Sequence, residues 1–189
     1  VFVVDFGQNI AGVADLWLPD NLKAGQIITL TFTEELNEDG TVYTDVLRGA
    51  KQTDTYIATG DDRDLEFWAP LFTYHGFRYA QIFGLKDKPE PGMFTGCIVR
   101  SGVERIGDFH SSHPIVQGFY DMVRQTEESN LHGVPTDCPQ RDERLGWLND
   151  MTVRNEGAMY GFRLYQLYAK WLRDIRDTQG KVTGAITDT

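Results

Sequence analysis

The hydrophobic period of this chain changes once, near Asp108, and that change limits the folds open to it. Before it, apolar and polar residues alternate with period 2. After it, apolar residues recur with period 3.6. Strands followed by helices, without repeated exchange between them, imply a β domain and then an α domain rather than a wound α/β sheet. We therefore expect a β domain over residues 1–107 and an α domain over residues 108–189.

Within the first part, Val1–Asp5 is a short extended run closed by Gly7 and Asn9, and Gly12–Leu18 places Ala14, Leu16 and Leu18 on one face. Pro19-Asp20-Asn21 reads as a turn. Ile28, Leu30 and Phe32 alternate with threonines, the pattern of a half-buried antiparallel strand. Asn37–Gly40 is a turn signal, Thr53–Ala58 a strand and Thr59–Asp64 a polar loop. Phe67–Phe72, Phe77–Phe83 and Phe94–Val99 complete about seven or eight short strands, the mark of an antiparallel β-sandwich. The dense segment Phe72–Tyr79 reads either as a sugar-binding Tyr/His/Arg surface or, with greater weight, as strand packing.

In the second part, Ser111-Ser112 offers an N-cap and Pro114 a first-turn residue. Ile115, Phe119, Met122 and Val123 form one stripe of a helix running to about Leu131, stopped by Gly133. A weaker helix is expected over about 150–160. A third carries Leu164, Leu167, Tyr168, Trp171, Leu172 and Ile175 on one side and ends at Gly180. Three helices in about eighty residues are thin for a core of their own, so the wide aromatic stripe calls for further helices. A compact three-helix unit is the alternative. Both ends of the chain read as cuts through a longer protein.

The net charge of −10 and the scattered basic residues disfavour a nucleic-acid partner. No run is long and apolar enough for a membrane span, so no membrane partner is expected. Location stays open between cytoplasmic, periplasmic and extracellular. Cys97 and Cys138 show no disulfide pattern and read as two thiols. His110 and His113 have no second half of a metal site, so neither a metal nor a cofactor is expected.

The densest chemistry lies between the first two helices, over Val134–Asp150: four carboxylates, two arginines and a tryptophan. Pro135, Pro139 and Gly146 forbid a continuous helix there, which leaves a loop, with at most one helical turn. A glycosidic bond breaks when one carboxylic acid protonates the leaving oxygen and a second carboxylate works at the anomeric carbon. Glu143 is a candidate acid, with Asp137, Asp142 and Asp150 near it in sequence; the bland alternative is a surface ion-pair network such as Asp142 with Arg144. Trp147 reads as a platform for a pyranose face or as a core anchor. Asp150 reads as a sugar ligand or as the N-cap of the second helix, Asp137 as a ligand or an Asx turn, and Arg141 as a donor to sugar oxygens or an ion-pair partner.

Asp137-Cys-Pro-Gln-Arg-Asp-Glu-Arg-Leu-Gly-Trp147, followed by Asp150, resembles the signature of bacterial α-L-rhamnosidases. Asp5–Gly12, Glu34–Gly40, Thr53–Tyr56 and Phe72–Tyr79 agree with that family in the same order. The resemblance implies a β-sandwich beside an (α/α)6-barrel, an inverting hydrolysis of rhamnose-containing oligosaccharides, polysaccharides or glycosides, and Glu143 as general acid. It also implies a rhamnose subsite lined by Asp137, Arg141, Trp147 and Asp150, with Asp142 left as a structural residue. The family's general base is a Glu later in the barrel with no counterpart in this chain. Residues 1–189 alone are thus expected to be inactive, with the rest of the barrel as their partner. Leu148-Asn149 departs from the smaller, Gly-ended pair of many members, which bears on aglycone preference. Two other readings remain: a non-catalytic carbohydrate-binding or packing module, and a barrel glycosidase of different sugar specificity.

Overall fold

The computed structural model describes residues 1–18, 22–60 and 66–189. The chain divides into two compact units. One comprises Val1–Val99 together with Pro139–Asp142; the other comprises Arg100–Cys138 together with Glu143–Thr189.

The first unit is a curled antiparallel sheet. Among the described residues it has six strands: β1 (Phe2–Leu18), β2 (Ile27–Thr33), β3 (Thr53–Ile57), β4 (Glu66–Trp68), β5 (His75–Phe83) and β6 (Phe94–Ile98). Their order is β3-β2-β5-β1-β4, with β6 also paired to β1. Gly12 pairs with both His75 and Ile98, and Leu16 with both Trp68 and Phe94. One edge of β1 therefore passes from β5 to β4 while the other stays on β6, and the sheet opens between them. Gly12 sits where this happens: a Cβ there would stand 1.9 Å from the Cys97 carbonyl oxygen.

The expectation of seven or eight strands is corrected here. Val1–Asp5 and Gly12–Leu18 are parts of one strand, because Gly7 and Asn9 do not end it. Gly7 takes a left-handed conformation (φ 78°) and its N–H donates to Asp5 Oδ1 at 2.8 Å, within a register shift between Asp5 and Ile10. The chain bulges and continues. The expected Phe67–Phe72 run is shorter and earlier, at Glu66–Trp68. The expected turn at Pro19–Asn21 and most of the Thr59–Asp64 loop lie outside the described residues. Glu66 accepts from Tyr56 Oη and from the Thr59 hydroxyl and backbone N–H, which ties β4 to the end of β3.

Alternation did set the core. Leu16, Leu18, Ile28, Leu30, Phe32, Phe77 and Ile82 are fully buried. Each contributes about 1.5–3 kcal/mol by leaving water. Within the Phe72–Tyr79 segment, His75–Phe77 are buried in β5, whereas Phe72 lies fully exposed. His75 is buried and stacks on Phe32 with ring centroids 4.6 Å apart. Its Nδ1 lies 2.7 Å from Gln52 Oε1 and its Nε2 2.9 Å from Asp54 Oδ1. Gln52 Nε2 donates to the Gly76 carbonyl at 3.1 Å, which identifies Oε1 as the acceptor for a proton on Nδ1. Arg78 makes a two-pronged pair with Asp5, both contacts at 2.9 Å. That pair holds the Asp5 carboxyl below its usual range, with the Gly7 N–H adding to the effect.

The second unit contains α1 (Pro114–Glu128), α2 (Leu148–Gly161) and α3 (Tyr165–Thr178). The N-cap of α1 is His113, not a serine; Ser111 Oγ instead accepts from the His113 N–H at 3.1 Å. The helix stops at Glu128, short of Leu131, because Leu131 bridges Pro135 as extended backbone. The stripe Ile115, Phe119, Met122 and Val123 lies exposed. The core is small: Leu131, Ala158, Phe162 and Leu164, with Val103, Leu167 and Tyr168 against it. No helix among the described residues is long and apolar enough to cross a membrane.

Candidate active site

The dense segment is a loop of bends with no helical turn, and it runs directly into α2 at Leu148. Its neck is closed by a reciprocal clasp. The Asp137 N–H donates to the Leu145 carbonyl at 3.1 Å, and the Leu145 N–H donates to Asp137 Oδ1 at 2.7 Å. Arg144, just before Leu145, takes a left-handed backbone (φ 52°). For a residue with a Cβ this costs about 1–3 kcal/mol, and the clasp beside it helps to hold that turn in place.

Glu143 follows the tip of the loop and is half-buried. The Trp147 indole N–H donates to Glu143 Oε1 at 3.1 Å. One donor atom each of Asp137, Cys138 and Glu143 lie within 4.8 Å of one another. Among the described residues these are the donors grouped closely enough to take a cation, although Asp137 already uses Oδ1 on the Leu145 N–H.

Asp150 is exposed in the first turn of α2, where a carboxylate suits the helix N-terminus. It is not the N-cap. Trp147 takes that position, and the Leu148 N–H donates to the Asp188 carbonyl at 3.0 Å. The helix thus begins two residues before the expected Asp150, because a backbone group far along the chain satisfies its first N–H. Arg141 falls within Pro139–Asp142, the segment that groups with the sheet. Asp137, Glu143 and Trp147 are therefore brought together directly, Asp150 follows one turn into α2, and Arg141 belongs to the other compact unit. Cys97 and Cys138 are not joined in a disulfide. Burial and the Asp15 carboxylate beside it push the Cys97 thiol up to about 11.

Several residues support the loop in ways that the sequence does not signal. Trp171 of α3 packs under the loop: a Cβ on Gly146 would stand 3.1 Å from Trp171 Nε1. Arg154 of α2 donates through Nη2 to the Thr136 carbonyl at 3.2 Å, and its Nη1 lies 3.8 Å from Glu127 Oε2 of α1. Thr136 is itself buried, its N–H donating to the Asn130 carbonyl at 2.8 Å. Burial pushes the Glu127 carboxyl above its ordinary value, with Arg154 opposing, and its buried Oε1 has no hydrogen-bond partner among the described residues. Burial and the nearby Glu127 charge push the Tyr168 hydroxyl up to about 12. Burial lowers the His132 imidazole and the Arg144 charge adds to this, while the hydrogen bond to the Ser129 carbonyl works the other way. A long helix face gives no hint that Arg154 turns back onto the residue before Asp137.

Residues 1–100 match the family model described as the bacterial alpha-L-rhamnosidase concanavalin-like domain, and residues 104–189 match the bacterial alpha-L-rhamnosidase 6 hairpin glycosidase domain. The chain is 38% identical over 188 residues to an alpha-L-rhamnosidase of Streptomyces avermitilis, covering 100% of this chain and 18% of the relative. The crystal structure of Streptomyces avermitilis alpha-L-rhamnosidase complexed with L-rhamnose superposes with a TM-score of 0.93 over 99% of this chain and 18% of that one. The alpha-L-rhamnosidase from Dictyoglumus thermophilum, 37% identical, also gives 0.93, covering 98% of this chain and 21% of that one. The chain thus spans about a fifth of the length of the relatives it matches. The expected class, an antiparallel β-sandwich followed by the first helices of an (α/α)6-barrel, is borne out. With a family model matched over residues 1–100, more than half of its 189 residues, the chain belongs to the bacterial alpha-L-rhamnosidase family.

Proposed function

We propose that the full-length protein hydrolyses terminal α-L-rhamnosides with inversion, and that Glu143 is the general acid. Residues 108–189 then form the opening helices of the catalytic barrel, following in the chain a sandwich domain over 1–107. Asp137, Arg141, Trp147 and Asp150 line the rhamnose subsite, and the general base is a carboxylate outside residues 1–189. The observation that carries this reading is the grouping of Glu143 with Asp137 and the Trp147 N–H at the mouth of one clasped loop. A general acid needs a fixed orientation toward the leaving oxygen, and the hydrogen bond from the Trp147 indole helps to fix the Glu143 carboxyl. An inverting pair stands about 6.5–9.5 Å apart, with a water between, so the base comes from another element than this loop.

The test is the rate of the full-length protein and of its Glu143→Gln variant on aryl α-L-rhamnosides of differing leaving-group pKa. The variant is expected to fail on poor leaving groups and to retain most of its rate on the most activated one. Product analysis by NMR is expected to show β-L-rhamnose first. Equal activity of the variant on a substrate whose leaving group needs a proton removes Glu143 from the role, and α-L-rhamnose as first product removes inversion.

A further inference from the structure

The loop that carries Asp137 and Glu143 has a tip, Pro139–Asp142, that packs with the sheet and not with the helices. Two glycines of the sheet unit receive it. A Cβ built on Gly76 would lie 2.8 Å from Pro139 Cγ and 2.9 Å from both Cβ and N of Gln140. Cβ atoms do not approach this closely, so no residue but glycine fits without moving the tip. At the other end, the Gly49 N–H donates to Asp142 Oδ2 at 3.1 Å, and a Cβ on Gly49 would lie 2.7 Å from that same oxygen.

Gly76 does not owe its identity to backbone conformation, because it is absent from the left-handed residues of this chain. It lies inside β5, where glycine weakens a strand and marks the close approach of another segment. Its position is held on several sides. It pairs with Ala11 of β1, and its carbonyl accepts from Gln52 Nε2. Gln52 is in turn held by His75, and His75 by Asp54, all three deep in the sheet unit. Pro139, which meets this seat, is buried.

We propose that Gly76 is a positioning residue for the reaction: the space left by its missing side chain seats Pro139 and Gln140, and that seat sets where Asp137 and Glu143 stand on either side of the tip. Asp142, anchored on Gly49, holds the second end. The proposal rests on the reading of Glu143 as general acid. Glu143 follows Asp142 directly in the chain, so a tip forced outward carries the acid with it. A displacement of about 1 Å in a reacting group costs on the order of 10²-fold in rate. The buried Asp54–His75–Gln52 chain gains a function in this scheme: it stiffens the strand on which the loop rests.

The experiment uses the full-length protein and a series of aryl α-L-rhamnosides with rising leaving-group pKa. Four proteins are compared: wild type, Gly76→Ala, Asp142→Ala and Glu143→Gln. Gly76→Ala is expected to lose on the order of 10²-fold in kcat/KM on the poorest leaving groups and far less on the most activated one, a slope tilted in the same direction as that of Glu143→Gln. Asp142→Ala, at an exposed end of the tip, tilts the slope the same way by a smaller factor and serves if Gly76→Ala does not fold. A folded Gly76→Ala with wild-type rates throughout overturns the proposal. An equal loss on every substrate also overturns it, since that is what a merely destabilised protein shows. A flat profile for Glu143→Gln itself overturns the acid assignment and the proposal with it, and is read from that variant whatever the glycine variant does.

Discussion

The indole N–H of Trp147 reaches back four residues to Oε1 of Glu143, across the junction between the loop and α2, at 3.1 Å. The residue that reads as a sugar platform is thus also a donor to the proposed acid. Trp147→Phe keeps an aromatic face and removes the donor. Hydrogen bonds to charged groups are worth about 1.5–3 kcal/mol. We predict that this variant loses roughly 10-fold or more in kcat on a substrate with a poor leaving group while KM changes little. Steady-state kinetics check it; a rise in KM at constant kcat would assign Trp147 to binding alone.

Arg154 joins the Thr136 carbonyl, one residue before Asp137, to the buried Glu127. Arg154→Met keeps much of the side-chain packing and deprives both groups of the guanidinium. Removing one partner from a buried polar network costs about 1–3 kcal/mol, the range for an acceptor left without its donor. The denaturation midpoint of the variant is expected to fall accordingly, and an unchanged midpoint would show that the network contributes nothing to stability.

The Glu127 carboxyl is raised above its ordinary value of 4.5, chiefly by burial. A raised folded value means that the folded state holds its proton more tightly than the unfolded state. The stability from this group is therefore fully present below 4.5 and lost as the pH rises through the folded value. Glu127→Gln removes the dependence. Relative to wild type, the variant is predicted to gain stability as the pH rises above 4.5. Urea titrations across that range check the sign; a difference that stays level or falls with pH would refute it.

His75 combines stacking on Phe32 with hydrogen bonds to Gln52 and Asp54. His75→Phe preserves the stacked ring and removes the hydrogen bonds to Gln52 Oε1 and Asp54 Oδ1. Asp54 Oδ2 is already buried with no hydrogen-bond partner among the described residues. A loss of about 1–3 kcal/mol is predicted, since buried hydrogen-bonding groups lose a partner. Chemical denaturation measures it. A neutral result would mean that the stacked ring, and not the hydrogen bonds, accounts for the histidine.

How much was legible from the sequence follows from the range of each interaction. Ile28, Leu30 and Phe32 announced a buried strand face because side-chain burial obeys the strand's own period. Gly7 and Asn9 read as an ending because a bulge and a turn use the same residues, and only the pairing of β1 with β5 on both sides of the bulge distinguishes them. The start of α2 was misplaced for a similar reason: its first N–H is met by the Asp188 carbonyl, which lies forty residues away and has no local signature.

By itself the sequence determined the exchange of β for α, the face each strand buries, and the concentration of carboxylates, arginines and an indole in one loop between two helices. Those follow from periodicity and residue chemistry, which are local. Only the tertiary structure decided how that loop is divided. Asp137 and Leu145 clasp its neck, Trp147 turns back to Glu143, and the tip settles on Gly76 and Gly49. The Asp142–Gly49 hydrogen bond joins residues 93 apart. Contacts of that kind depend on close packing between distant segments, where an absent methyl group matters as much as a charge that is present, and an absent side chain writes no pattern into its own neighbourhood.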